Sequence, residues 1–220
     1  MIAQNLIKND IPPLKLTDTG GKAIMWMNTF HLQHLPVVDG IKYIGMVGET
    51  DILDSNNPGI TLKYYDYEGH SPYVRKGAHI YEVLKAMNDH QLTAIAVVDD
   101  DQNYLGLIAV DKLLEYFGQL NAAQEPGGII ILEMNTYDYS LSQIAQIIES
   151  NNAKVLSMYV TTHSHTSMME VTLKVNITDL KTILTTFERY NYEVIASFQE
   201  NDYVEDIKER LDELMNYLNI

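Results

Sequence analysis

An internal repeat constrains this chain more than any other feature. His34-Leu35-Pro36-Val37-Val38-Asp39 is followed by a tight turn and Tyr43-Ile44-Gly45-Met46-Val47-Gly48-Glu49-Thr50-Asp51-Ile52-Leu53. The same text returns as Ile95-Ala96-Val97-Val98-Asp99, a turn, and Tyr104-Leu105-Gly106-Leu107-Ile108-Ala109-Val110-Asp111-Lys112-Leu113-Leu114. Gly106 follows Gly45 by 61 residues and Asp99 follows Asp39 by 60, the extra residue falling in the second turn. A unit used twice in this way cannot bury its apolar face alone, so the two copies are expected to close on each other.

Each copy carries the same order of elements. Ala23, Met27 and Phe30 recur at helical spacing before the first Val-Val-Asp strand, and Ile80, Leu84 and Met87 do so before the second. Each return strand runs into a short apolar helix, starting near Asp51 in one copy and Lys112 in the other. Gly45 inside a strand implies close approach of something to the backbone, either a neighbouring segment or a ligand. Ile11-Pro12-Pro13-Leu14 must be extended, because proline restricts itself and its predecessor.

Glu125-Pro126-Gly127-Gly128 reads as a boundary, and the pattern changes after it. Strands are expected at 129–134, 155–161, 168–175 and 194–198, with helices opened by Ser140 and Asp179. That order, β-α-β-β-α-β, is the ferredoxin-like plan. From Tyr203, the residues Val204, Ile207, Leu211, Leu214 and Leu218 alternate by three and four, an amphipathic helix over 203–220.

Charge and composition then narrow the function. A net charge of −15, with no Lys/Arg cluster, opposes nucleic-acid binding. A free anionic nucleotide is a different matter, since backbone N–H groups and one or two cations suffice to hold it. The absence of cysteine removes disulfides, thiolate metal sites and thiol nucleophiles. No apolar run approaches a membrane span, and Met1-Ile2-Ala3-Gln4-Asn5 is unlike a secretion signal, so a cytoplasmic protein is expected. No nucleophile motif, catalytic carboxylate pair or Gly-rich phosphate loop stands out, so no enzyme activity and no essential cofactor are expected.

The doubled unit resembles a tandem pair of CBS domains. The resemblance is carried by Leu35-Pro36-Val37-Val38-Asp39 and Gly45-Met46-Val47 with Asp51-Ile52-Leu53, then by Val97-Val98-Asp99 with Gly106-Leu107-Ile108. It implies a regulatory module for an adenosyl nucleotide such as AMP, ATP or S-adenosylmethionine. In that family the return strand ends Gly-apolar-apolar-Thr/Ser-x-x-Asp, with Asp on the ribose hydroxyls and Thr near phosphate. Here Asp51 holds the Asp position, but Gly48 stands for the Thr. In the second copy Ala109 stands for the Thr, Asp111 falls one residue early and Lys112 takes the Asp slot. The nucleotide-binding candidates are therefore Gly45, Val47, Asp51, Gly106, Ile108, Asp111 and Lys112. Asp51 and Asp111 also suit a purely local role as helix caps.

The element order after Gly127 resembles an ACT domain, and a CBS pair followed by ACT is similar to acetoin-utilisation B-type proteins. That resemblance implies a ligand beside the first strand–helix loop, here Asn135, Tyr137, Asp138 and Ser140. Asp138 and Ser140 equally suit helix capping. His163-Ser164-His165 reads as a hairpin loop, and no metal site is expected, because a metal needs three or four converging ligands and nothing obvious completes the set.

The expected architecture is mixed α/β (α+β). It comprises a CBS pair over residues 1–124 (copies at about 6–54 and 70–118), a ferredoxin-like ACT-type domain over 127–199 and a C-terminal helix. The expected function is a homodimeric regulatory sensor of a small-molecule nucleotide, without nucleic-acid or membrane partners. The alternative is a ligand-free scaffold with degenerate sites.

Overall fold

The computed structural model describes residues 1–67, 71–163 and 166–199, and the helix expected over 203–220 lies outside them. The chain divides into two units, Met1–Phe117 and Gly118–Ile220.

In the first unit the repeat becomes two halves with the same order of elements. The first contains β1 (Leu14–Lys15), α1 (Gly20–Phe30), β2 (His34–Asp39), β3 (Lys42–Gly48) and α2 (Glu49–Asp54). The second contains β4 (Tyr73–Arg75), α3 (Ile80–Asp89), β5 (Ala94–Val98), β6 (Tyr104–Ala109) and α4 (Val110–Gly118). Each half is a three-stranded sheet, ordered β1-β2-β3 or β4-β5-β6, with the first pair parallel and the hairpin pair antiparallel. The short strands β1 and β4 are additions to the elements expected from sequence. At two or three residues they are too brief to show a period of two.

The two sheets face each other. Ala94, Leu107 and Ala109 of the second half pack into the core of the first, among Leu35, Val37 and Val47. Tyr43, Met46, Ala96, Val98 and Tyr104 close the turn end of the seam. This double-sided cover explains why β5 is buried at all five positions and reads as a continuous apolar run. The two hairpin turns are also tied directly, Tyr43 N–H to Gln102 O at 3.1 Å and Tyr104 N–H to Ile41 O at 2.8 Å.

Each lead-in segment crosses to the other half. Residues ahead of the first half run along the second, with Ala3 N–H donating to Ala78 O and Lys8 N–H to Leu107 O, both at 2.8 Å. The link ahead of the second half returns along the first, where Ser71 Oγ donates to Ile44 O at 3.0 Å. Ile7 and Tyr67, 60 residues apart, lie against Gly106 and Gly45 respectively. A Cβ on Gly45 would come within 2.7 Å of the Tyr67 ring, and one on Gly106 within 2.3 Å of Ile7 Cγ2. Of the two explanations for a strand glycine, the neighbouring segment is the one realised.

The second unit adds α5 (Asn121–Gln124), β7 (Ile129–Asn135), α6 (Leu141–Ser150), β8 (Val155–Thr162), β9 (Met168–Val175), α7 (Lys181–Arg189) and β10 (Glu193–Phe198). Its antiparallel sheet is ordered β10-β7-β9-β8, with the two long helices on one face. Ile130, Leu132 and Met134 alternate inward along β7 and meet Ile144, Ile147, Ile148, Ile183 and Phe187. Fully burying side chains of this size is worth about 1.5–3 kcal/mol each. Ser140 caps α6, its Oγ accepting from Gln143 N–H at 3.4 Å. Asp179 Oδ1 accepts from Lys181 N–H at 3.0 Å, so it steadies the start of α7 from just outside the helix.

Candidate functional site

The first half ends its hairpin on Gly48, and α2 begins at the next residue. Asp51 is therefore the third residue of the helix rather than its cap. Its Oδ2 reaches back to accept from Gly48 N–H at 2.8 Å. Gly48 is the direct cross-strand partner of His34. The imidazole occupies the space a side chain at position 48 would need, since a Cβ there would lie 3.3 Å from His34 Cδ2 and 3.2 Å from Asp51 Oδ2.

His34 also spans the seam. Its Nδ1 accepts from Thr93 N–H at 3.4 Å and lies 3.3 Å from Thr93 Oγ1, while Gln33 N–H donates to that hydroxyl at 2.9 Å. Burial pushes the His34 pKa down, against a smaller opposing pull from Asp51. A neutral ring accepting at Nδ1 matches both facts.

A cavity of about 150 Å³ opens here, between the halves. His34, Met46, Gly48, Thr50 and Asp51 line it from one side and Pro72, His90 and Leu92 from the other. Thr50 and Asp51 give it a hydroxyl and a carboxylate, and the two histidines give it ring nitrogens. It is smaller than the roughly 300–1,000 Å³ that encloses a drug-sized ligand.

Of the residues singled out from sequence, Asp51 lines this cavity. Gly45 and Val47 do not: Gly45 is covered by Tyr67, and Val47 is buried in the core. In the other half, Gly106 is covered by Ile7 and Ile108 is buried. Asp111 Oδ2 forms an ion pair with Lys8 at 2.7 Å, and its Oδ1 accepts from Lys112 N–H at 2.8 Å. Burial opposes ionisation of Asp111, but Lys8 and the Lys112 N–H outweigh it and hold the carboxyl below its ordinary range. Lys112 pairs with Glu115 at 2.6 Å. Asp111 and Lys112 thus engage neighbours on the second half, away from the Asp51 cavity. The sequence marks none of His34, Thr50, Pro72, His90 and Leu92 as a nucleotide contact, because the seam brings them together from separate segments.

In the second unit, Asn135 and Asp138 line a cavity of about 460 Å³ with Glu133, Gln143, Tyr192 and Glu193. Asn135 shapes the loop, its Oδ1 accepting from Tyr137 N–H at 3.1 Å and its Nδ2 donating to Ser167 Oγ at 2.9 Å. Ser140 is occupied by the helix cap, and Tyr137 is 91% exposed. Tyr192 OH donates to Gln143 Oε1 at 2.7 Å. Three carboxylates and no Lys or Arg line this cavity, a field that favours a positively charged group over an amino acid's carboxylate.

Two facing hairpin-and-helix halves, each strapped by the other's lead-in, define a paired-domain fold. Residues 7–56 and 68–119 match the family model of the CBS domain, and this part of the chain is a tandem CBS-domain pair. The chain is similar to a CBS domain pair/ACT domain protein of Thermotoga maritima, with 19% identity over 53% of this chain and 96% of that one and a TM-score of 0.47. It is also similar to a CBS domain pair solved with 5′-methylthioadenosine and S-adenosyl-L-methionine (18% identity, 54% of this chain and 96% of that one, TM-score 0.43). Inosine-5'-monophosphate dehydrogenase of Methanocaldococcus jannaschii is 23% identical over 150 residues. The match covers 67% of this chain and 30% of that enzyme's length. Among the described residues, no helix is long and apolar enough to cross a membrane.

Proposed function

We propose that the protein is a regulatory sensor whose CBS pair takes an adenosyl nucleotide or related small molecule at the seam between its halves. The observation that carries this reading is the cavity shared by His34, Gly48, Thr50 and Asp51 with Pro72, His90 and Leu92. The CBS match supports the ligand class. Asp51 offers a carboxylate to ribose hydroxyls once it releases Gly48 N–H, and that N–H is then free to meet phosphate. The cavity must widen to admit a nucleotide, so binding would shift the packing of one half on the other. That shift is the signal, passed to a homodimer or to the second unit, which we read as an ACT-type domain. Leu53 and Leu114 are related by the repeat, sit on α2 and α4, and are 60% and 75% exposed. They offer an apolar surface for a two-fold dimer.

A second reading, a scaffold that has lost its ligand, is favoured by the engaged state of the polar groups. Asp51 is bound to Gly48 N–H, Asp111 to Lys8 and Lys112 to Glu115. Calorimetric titration of the full chain with AMP, ATP and S-adenosylmethionine separates the two. The sensor shows saturable binding to at least one of them, lost in Asp51→Ala. The scaffold shows none at millimolar ligand, and Asp51→Ala then costs only about 1 kcal/mol of stability, as loss of a helix-terminal hydrogen bond does.

A further inference from the structure

The open face of the second unit's sheet carries a group of side chains that the nucleotide reading leaves unused. Glu133 on β7 and Glu170 on β9 are direct cross-strand partners, and Glu193 on β10 is the partner of Glu133. Three acidic residues therefore occupy one row across three adjacent strands. Like charges directly opposite one another destabilise a sheet. Among the described residues, no Lys or Arg forms an ion pair with Glu133 or Glu170. What approaches instead is an imidazole: His163, at the end of the edge strand β8, places Nε2 3.1 Å from Glu170 Oε1. One ligand atom each from Glu133, His163 and Glu170 lies within 4.8 Å of the others.

We propose that Glu133, His163 and Glu170 form a binding site for a divalent transition-metal cation of the Zn²⁺ class. Carboxylate and imidazole ligands bind such an ion at about 2.0–2.2 Å. The His163 and Glu170 side chains are 42% and 30% exposed, and Glu133 is half-buried, so the groups stand partly open at the sheet surface. The charge balance also fits, because two carboxylates neutralise a divalent ion and the ion removes the repulsion between them. One nitrogen and two oxygens favour Zn²⁺ over Mg²⁺ and Ca²⁺, which prefer oxygen-only sites. Thr161, the cross-strand partner of Glu170, adds a hydroxyl beside the site, and three protein ligands leave the remaining positions to water. This site is independent of the seam cavity and stands or falls separately from it.

The test uses the full chain stripped of metal by chelation and titrated with Zn²⁺ by calorimetry, with Co²⁺ as a spectroscopic probe. Wild type should bind Zn²⁺ in the micromolar range and gain thermal stability from it. His163→Ala and Glu170→Gln should each weaken that binding by about tenfold or more. Glu133→Gln should also weaken it while raising the melting temperature of the metal-free protein, because it removes a like-charge pair; that rise shows the fold intact. Co²⁺ should give visible d–d bands in wild type that are absent in His163→Ala. Zn²⁺ binding only at millimolar concentration, or equal binding in wild type and all three variants, overturns the proposal.

Discussion

His34 and Gly48 are direct cross-strand partners, and the imidazole of one fills the volume that the other lacks. Their counterparts in the second half, Ala94 and Ala109, are likewise partners, each carrying a single methyl group. The glycine at position 48 is therefore matched in packing to the bulk of His34. Adding a hydroxyl here, in Gly48→Thr, should cost about 1–2 kcal/mol, since the new Cβ crowds both His34 and Asp51. Combining it with His34→Ala should recover part of that cost. A double-mutant cycle in urea should give a favourable coupling of about 0.5 kcal/mol or more; additive effects would show that the two positions do not share the space.

The same histidine makes stability depend on pH in a definite direction. Burial lowers its pKa in the folded protein, so the unfolded chain takes up the proton first as pH falls below about 6.5. Above that pH both states are neutral at this position and it contributes no slope. Below it, stability falls until the folded ring also protonates. Denaturant melts between about pH 7.5 and pH 5.5 should show a smaller loss in His34→Asn than in wild type, Asn keeping an acceptor for Thr93 N–H. An identical loss in both would show that the ring is not responsible.

Two tyrosines related by the repeat should respond oppositely to losing their hydroxyl. Tyr43 OH donates to Pro72 O at 2.8 Å, whereas Tyr104 OH is buried without a hydrogen-bond partner among the described residues. Tyr43→Phe should cost about 1–2 kcal/mol, and Tyr104→Phe should be neutral or stabilise by up to about 1 kcal/mol. Equilibrium unfolding of the two variants side by side decides the matter; equal losses would refute the asymmetry.

Gly106 is held at φ +153° with Ile7 packed onto it. Gly106→Ala should cost about 2 kcal/mol or more, from the clash and from backbone strain together. Ile7→Ala in the same chain removes the clash and leaves the strain, so thermal unfolding should show partial recovery. Full tolerance of Gly106→Ala would mean that the lead-in does not strap the second half as described.

Much of this molecule could be read from the chain before any coordinates. The repeat required two like halves, and the halves do face each other, with Ala94, Leu107 and Ala109 of the second packed among Leu35, Val37 and Val47 of the first. The alternation in β7 and the 3.6-residue period in α6 and α7 placed the ferredoxin-like order of the second unit, since local burial patterns depend on few and near neighbours.

Which groups meet across elements was decided by tertiary structure alone. The strap of Ile7 over Gly106, the fit of His34 to Gly48, and the row Glu193-Glu133-Glu170 beside His163 all join positions far apart in sequence. Periodicity reports which side of a strand or helix is buried, and it carries no information about the strand or segment that will lie opposite. The register between strands and the closing of one half on the other supply that information, and both candidate sites depend on it.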